Sequence, residues 1–233
     1  MVLSIIIPSK NEEKYIKGVL NSIKNSYLVS DEYEIIIADD STDNTIDIIK
    51  SFDLDIKIVP GGPTPVARNN GASVAKGDYL LFIDADVSFT NKNLINNLIY
   101  ELRDYDLVTC KLKCSNDKLV GFIYRLNNFI QKLSKLDKKP FSTGAFMGFN
   151  KKLFFELGGF NPEYKHCEDY MLSKKVDSKK FSVLDNFVYT DNRRFKKMGY
   201  WGMVKYFFKN TLNRNNEDYF KREIGYWWCI KHF

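Results

Sequence analysis

Asp84-Ala85-Asp86 follows at once on the apolar run Tyr79 to Ile83. In an extended segment residues i and i+2 point to one side, so both carboxylates face the same direction. Two like charges that close repel unless a cation sits between them. A hard divalent ion with oxygen ligands, Mg2+ or Mn2+, suits such a pair. The competing reading is a solvated turn or a cap for the next helix. A second acidic pair, Glu168-Asp169, opens a segment of helical pattern, where carboxylates commonly complement the helix dipole. His166, two residues earlier, reads as a surface or capping residue. Arg193-Arg194 reads either as a solvated pair or as a clamp for phosphates.

The elements that must carry these residues alternate. Val2 to Pro8, Glu34 to Ala38, Lys57 to Val59 and Tyr79 to Ile83 read as buried strands. Between them fall amphipathic helices. The first is capped by Asn11, with Ile16, Val19, Leu20 and Ile23 on one face, and the second is capped by Ser41 or Asp43. The third has Thr64 as cap, Pro65 in the first turn and Gly77 as C-cap. Strand-helix alternation with short connections predicts a right-handed, mostly parallel α/β sheet, and such sheets bind ligands outside the carboxyl ends of their strands. Pro8-Ser9, Asp39-Asp40 and Asp84-Ala85-Asp86 each follow a strand and should share that rim. Further on, helices are expected over Asn93 to Arg103, Leu119 to Leu136, Lys151 to Glu156 and His166 to Ser178. Strands are expected near Leu107 to Lys111, Phe146 to Phe149 and Phe181 to Thr190. The stripe Leu119, Phe122, Ile123, Leu126, Phe129, Ile130 and Leu133 reads as core packing.

Composition narrows the function classes. The chain has 233 residues, 44% hydrophobic and 27% charged, an ordinary globular balance that fills one core. Cys110, Cys114, Cys167 and Cys229 show no C-x-x-C spacing and read as reduced thiols rather than a zinc site or disulfide frame. Met1-Val2-Leu3 runs straight into a strand without a basic leader, and no run of about 18 uncharged apolar residues occurs, which together point to a cytoplasmic protein. The net charge of +6 favours an anionic partner. The acid-lined rim argues against nucleic acid. Neither G-x-G-x-x-G nor G-x-x-x-x-G-K-[ST] occurs, which counts against a dinucleotide dehydrogenase or a P-loop ATPase. From Phe195 the chain turns aromatic and basic. This predicts helices over 196–233 that either rest on the cytoplasmic face of a membrane or complete the core or a dimer contact.

The segments SIIIPSKNEEKYI, EIIIADDSTDNT and ARNNGASVAKGDYLLFIDADV occur in this order. With STGAFMGFNKKLFFELGGFNPEY, HCEDYML and TDNRRFKKMGY they resemble the inverting family 2 glycosyltransferases of GT-A fold. The resemblance covers residues 2 to 195. It implies a Rossmann-like, mostly parallel sheet flanked by helices. Residues 1–195 would form the transferase domain, with a nucleotide-binding half at 1–90 and an acceptor-side half at 91–195, and 196–233 would be an appended aromatic, basic extension. It implies that Pro8, Ser9 and Glu12 line the nucleotide pocket, that Asp40 beside Asp39 meets the base, and that Arg68 approaches the diphosphate. Asp84, next to Ala85, would touch ribose or donor sugar and flank the metal. Asp86 would ligate Mg2+ or Mn2+. Gly144-Ala145 would border the sugar, and Arg193 or Arg194 would hold the leaving diphosphate. Asp169 would be the general base, supported by Glu168. The implied substrates are a nucleotide-diphosphate sugar, with uridine as the default base, and an acceptor hydroxyl on a glycan, a lipid-linked sugar or a protein. A sugar nucleotidyltransferase and a non-catalytic nucleotide- or anion-binding module are the alternatives. The glycine-free first loop Pro8-Ser9-Lys10-Asn11-Glu12 speaks against the nucleotidyltransferase.

Overall fold

A computed structural model describes residues 2–28, 32–114 and 116–223. Both faces of the central sheet are covered, so its strands are buried on both sides. Strands β1 (Leu3–Ser9), β2 (Tyr33–Asp39), β3 (Ile56–Pro60) and β4 (Tyr79–Ile83) pair in parallel. They continue through β6 (Phe146–Asn150), β5 (Leu107–Lys113) and β7 (Phe181–Tyr189) into a seven-stranded sheet of order β3-β2-β1-β4-β6-β5-β7. Among the described strands only β6 runs against its neighbours. Successive side chains alternate between the faces. Ile5, Ile7, Leu81 and Ile83 face one hydrophobic layer, and Ile6, Leu80 and Phe82 face the other.

The first layer is closed by α1 (Ile16–Lys24), α2 (Thr45–Lys50), α4 (Leu94–Glu101) and the inner side of α5 (Lys118–Leu133). The second is closed by α3 (Thr64–Ser73), α6 (Lys151–Glu156) and α7 (Glu168–Ser173). In that second layer Phe82, Phe154 and Phe160 meet ring to ring at 5.0 to 5.6 Å. The chain then folds through α8 (Arg193–Met198), α9 (Tyr200–Leu212) and the short α10 (Glu217–Phe220). Cys110, Cys114 and Cys167 are free thiols. Cys229 and the aromatic residues 224–233 lie outside the described residues.

Several local expectations are corrected. Asn11 caps no helix. It adopts φ 55°, and its side-chain oxygen accepts from Thr42 N, tying the loop after β1 to the loop after β2. The residue preceding α1 is Tyr15. Thr64 is already helical, with Pro63 as N-cap. Gly77 lies beyond the end of α3. A Cβ there would stand 2.6 Å from the Leu3–Ser4 backbone, so glycine is needed for strand packing rather than capping. The helix at Glu168 stops at Ser173. His166 is 1% exposed and packed among the rings of Tyr206, Tyr219 and Phe220 at 5.2 to 5.8 Å. Burial lowers its pKa, so the ring stays neutral at neutral pH.

The largest correction concerns α5. Leu119, Phe122, Leu126, Phe129, Ile130 and Leu133 are 42 to 58% exposed. The helix instead buries Val120, Tyr124, Asn128 and Gln131. Asn128 completes the edge of β5, donating to Leu112 O and accepting from Leu112 N at 2.9 Å, and Gln131 donates to Thr109 Oγ1. Polar side chains face inward because the neighbouring strand offers them hydrogen-bond partners, and the apolar stripe faces out.

Candidate active site

Strand order reverses between β1 and β4: the chain steps outward through β2 and β3 and returns on the other side of β1. The carboxyl ends of β1 and β4 therefore flank a crevice, the usual ligand position in such sheets. A cavity of about 850 Å³ opens there. Its walls include Pro8, Ser9, Glu12, Arg68, Asp84, Ala85, Asp86, Gly144, Ala145, Glu168, Asp169, Arg193 and Arg194.

Arg68 is the hub. It rises from α3 with its side chain 3% exposed and donates to Asp84 Oδ1 and Glu168 Oε1, each at 2.7 Å. One guanidinium thus joins the end of β4 to the start of α7. Burial works against its charge, but Asp84, Glu168 and Asp169 overcome that and raise its pKa. Burial raises the pKa of Glu168 against the pull of Arg68. The guanidinium lies 5.1 Å over the Phe160 ring, and Asn69 latches Phe160 by exchanging two hydrogen bonds with its backbone at 2.6 and 3.0 Å.

Gly144 fits between Arg68 and Asp169. Its amide donates to Asp169 Oδ2 at 2.7 Å, and a Cβ there would collide with Arg68 Nη2. Gly144→Ala should push the guanidinium off Asp84. We expect melting temperature and nucleotide affinity both to fall; a variant equal to the parent in both would show that Arg68 has room to move.

The second arginine cluster follows β7. Ser88 and Tyr189 exchange backbone hydrogen bonds at 3.0 and 2.7 Å, drawing the end of β7 to the loop after β4. Arg193 then meets Glu12 through two hydrogen bonds at 2.8 Å and lies 2.9 Å from Asp86 Oδ2. It stacks 4.6 Å from the Tyr15 ring centre. Arg194 approaches Asp84 Oδ2 at 3.7 Å. Burial raises the pKa of Asp86, opposed by Arg193 and Arg194, and raises that of Glu12 against Arg193.

Asp86 and Asp169, far apart in the chain, share this cavity. Asp39 and Asp40 are not part of its wall. Asp39 accepts from the backbone and hydroxyl of Ser41, and Asp40 pairs with Lys10, which does line the cavity. The sequence reading also missed the far end of the cavity, where Ile130 and Leu133 of α5 share the wall with Met203 and Phe207 of α9. The signal for it was the pairing of inward amides at Asn128 and Gln131 with a stripe of the opposite phase.

Among the described residues no group of three or more His, Cys, Asp or Glu forms a ready metal cage. The oxygen chemistry nonetheless fits a hard cation that keeps phosphate oxygens as co-ligands. Ser9 Oγ, Arg68 Nε and Thr143 Oγ1 are buried on the cavity wall without a hydrogen bond, and Asp86 Oδ2 beside them has only the Arg193 ion pair at 2.9 Å. Buried polar groups in that state mark a place where a ligand completes the bonding.

A doubly wound sheet with an acid- and arginine-lined crevice at its switch point places the protein among the GT-A folds. The description "Glycosyl transferase family 2" matches residues 4–158, and the chain belongs to that family of glycosyltransferases. One relative is the poly(ribitol-phosphate) beta-N-acetylglucosaminyltransferase TarS of Staphylococcus aureus, 31% identical over 128 residues. These make up 51% of this chain and 22% of TarS. The structure of TarS 1–349 with UDP-GlcNAc superposes with a TM-score of 0.66 at 23% identity, over 83% of this chain and 59% of that one. A dolichyl N-acetyl-alpha-D-glucosaminyl phosphate 3-beta-D-2,3-diacetamido-2,3-dideoxy-beta-D-glucuronosyltransferase of Methanococcus voltae is 30% identical over 166 residues, 66% of this chain and 49% of that protein. The mannosyltransferase PcManGT of Pyrobaculum calidifontis, in complex with GDP-Man and Mn2+, gives a TM-score of 0.63 at 17% identity, covering 90% of this chain and 64% of that one. The chain thus spans half or less of the length of these two curated relatives.

Proposed function

We propose that the protein transfers a sugar, with inversion, from a uridine-diphosphate sugar to an acceptor hydroxyl. The observation that carries this reading is the convergence of Asp84, Asp86, Arg68, Glu168 and Asp169 on one cavity at the switch point. The uridine nucleotide in the TarS complex and the dolichyl phosphate in the name of the Methanococcus relative support the choice of donor and of a lipid-linked or glycan acceptor.

Pro8, Ser9 and Glu12 bound the nucleoside end, and the loop Asp39-Asp40 approaches the base from outside the cavity wall. Asp86, with Asp84 beside it, would hold Mg2+ or Mn2+, the Mn2+ in the PcManGT complex supporting that choice, and such an ion would supply charge to offset that of the diphosphate. Arg194 and Arg68 add fixed positive charge on the same side. Gly144 and Ala145 border the sugar. Asp169 takes the proton from the acceptor hydroxyl, its carboxylate held by the Gly144 amide, while Glu168 and Arg68 fix the start of α7. Inversion follows from a single displacement from the opposite face, so no carboxylate needs to act as nucleophile.

A panel of sugar nucleotides with Mn2+ and candidate acceptors tests the reading through nucleoside diphosphate release. Release from one donor is expected, and none from any would discard it. Asp86→Ala should remove the metal-dependent part of nucleotide binding measured by calorimetry with and without Mn2+. Undiminished Mn2+-dependent binding in the variant would take Asp86 out of the metal site.

A further inference from the structure

Leu126, Ile130 and Leu133 of α5 turn toward the cavity, but Leu119, Phe122 and Phe129 of α5 and Trp201, Phe208 and Leu212 of α9 are exposed outside it with no apolar partner among the described residues. On α5 the exposed stripe is bordered by Lys118 and Arg125, a heptad apart along one edge, and the next residue of that row, Lys132, pairs with Asp185 at 3.0 Å. On α9 Trp201 is 80% exposed, Phe208 64% and Leu212 68%, with Lys205 and Lys209 alongside. The helices run side by side in one direction and are clasped at both ends. Asp117, the N-cap of α5, accepts from Tyr200 at 2.6 Å, and Arg214 donates to Asp137 at 2.6 Å beyond their other ends. Hydrogen bonds hold the Asp117 carboxyl down to a pKa of about 2, so the clasp persists throughout the physiological pH range. The slot between them belongs to the same cavity that holds Asp86 and Asp169.

Apolar faces of this extent are not kept in water by a soluble monomer without cause. Their charge selects the occupant. Between Lys118 and Lys139 the one carboxylate is Asp137, already paired with Arg214, and α9 carries Lys205 and Lys209 and no acid. A second copy would bring cation against cation across a two-fold contact, whereas anionic headgroups above an acyl layer match both the charge and the apolar stripe. We propose that the outer faces of α5 and α9 together seat on an anionic lipid bilayer and open the α5–α9 slot toward an amphiphilic acceptor held in that bilayer. The acceptor clause rests on the transferase reading above; the membrane contact does not.

The test is flotation of the full chain with vesicles of phosphatidylcholine alone or mixed with phosphatidylglycerol, at low salt. The parent should float with the anionic vesicles and lose binding at about 1 M salt, where screening is nearly complete. Phe122→Glu/Phe129→Glu and Trp201→Glu/Phe208→Glu should each weaken partitioning by about tenfold or more. Both pairs lie outside the nucleotide cavity, so UDP binding should be unchanged, which also verifies folding. A parent that stays in solution, or variants that float as well as the parent, would overturn the proposal. So would a stable lipid-free dimer that the same substitutions dissociate. UDP binding that is absent in parent and variants alike would instead count against the transferase reading and leave the flotation result to stand by itself.

Discussion

Asp169→Asn is expected to lower turnover by about 10^2 to 10^4, the usual contribution of general-base assistance, with nucleotide affinity unchanged. The substitution is nearly isosteric. The carbonyl oxygen of the introduced amide can still accept from Gly144 N, while the bond that Tyr170 N gives to Asp169 Oδ1 is lost. Also lost is the capacity to take a proton from an incoming hydroxyl. Glu168, which faces Arg68 at 2.7 Å, cannot substitute without abandoning that ion pair. Steady-state kinetics with a defined donor and acceptor, beside calorimetry with UDP, check both halves. Turnover within a few-fold of the parent would remove Asp169 as base, whereas lost UDP affinity would recast it as a donor-binding group.

The second large effect is on stability. Arg68→Met strands Glu168 and leaves Asp84 only the looser Arg194 contact at 3.7 Å, and the two side chains are only 15% and 17% exposed. Breaking a buried pair from one side costs about 3 to 5 kcal/mol, because the orphaned charge loses its partner without regaining water. For a chain of this size that corresponds to a fall in melting temperature of roughly 6 to 20 °C. The deficit should depend on pH. Burial already raises the pKa of Glu168, and without Arg68 nothing offsets it as strongly. A carboxyl whose folded pKa lies above its unfolded value binds protons preferentially in the fold, so stability improves as pH falls. The gap between variant and parent should therefore narrow on mild acidification. Glu168→Gln in the Arg68→Met background should recover part of the loss at neutral pH. A variant that melts with the parent at every pH would show that solvent, not Arg68, compensates these acids.

The parallel half of the sheet was legible because its strands are short, branched and punctuated by polar turns, and β4 begins and ends where the pattern puts it. Helix ends were less so. At Asn11 and Gly77 long-range needs, a loop-to-loop hydrogen bond and a close strand approach, took residues whose local chemistry suggests caps. The α5 stripe was misread because apolar periodicity gives the phase of a helix but not which side is the inside. That was decided by Leu112 and Thr109, which offer Asn128 and Gln131 hydrogen bonds in the interior.

By itself the sequence determined the order of strands and helices, the family, and the acids and arginines that line the cavity other than Asp39 and Asp40, which it placed there and which lie outside the wall. Each of these is written in local pattern or in motifs read in line. Only the tertiary structure decided which acid faces which arginine: Arg68 joins Asp84 to Glu168, and Arg193 joins Glu12 to Asp86. Those pairings bridge up to 181 positions of chain. They depend on where β7 lands against the loop after β4, and no spacing along the chain encodes that.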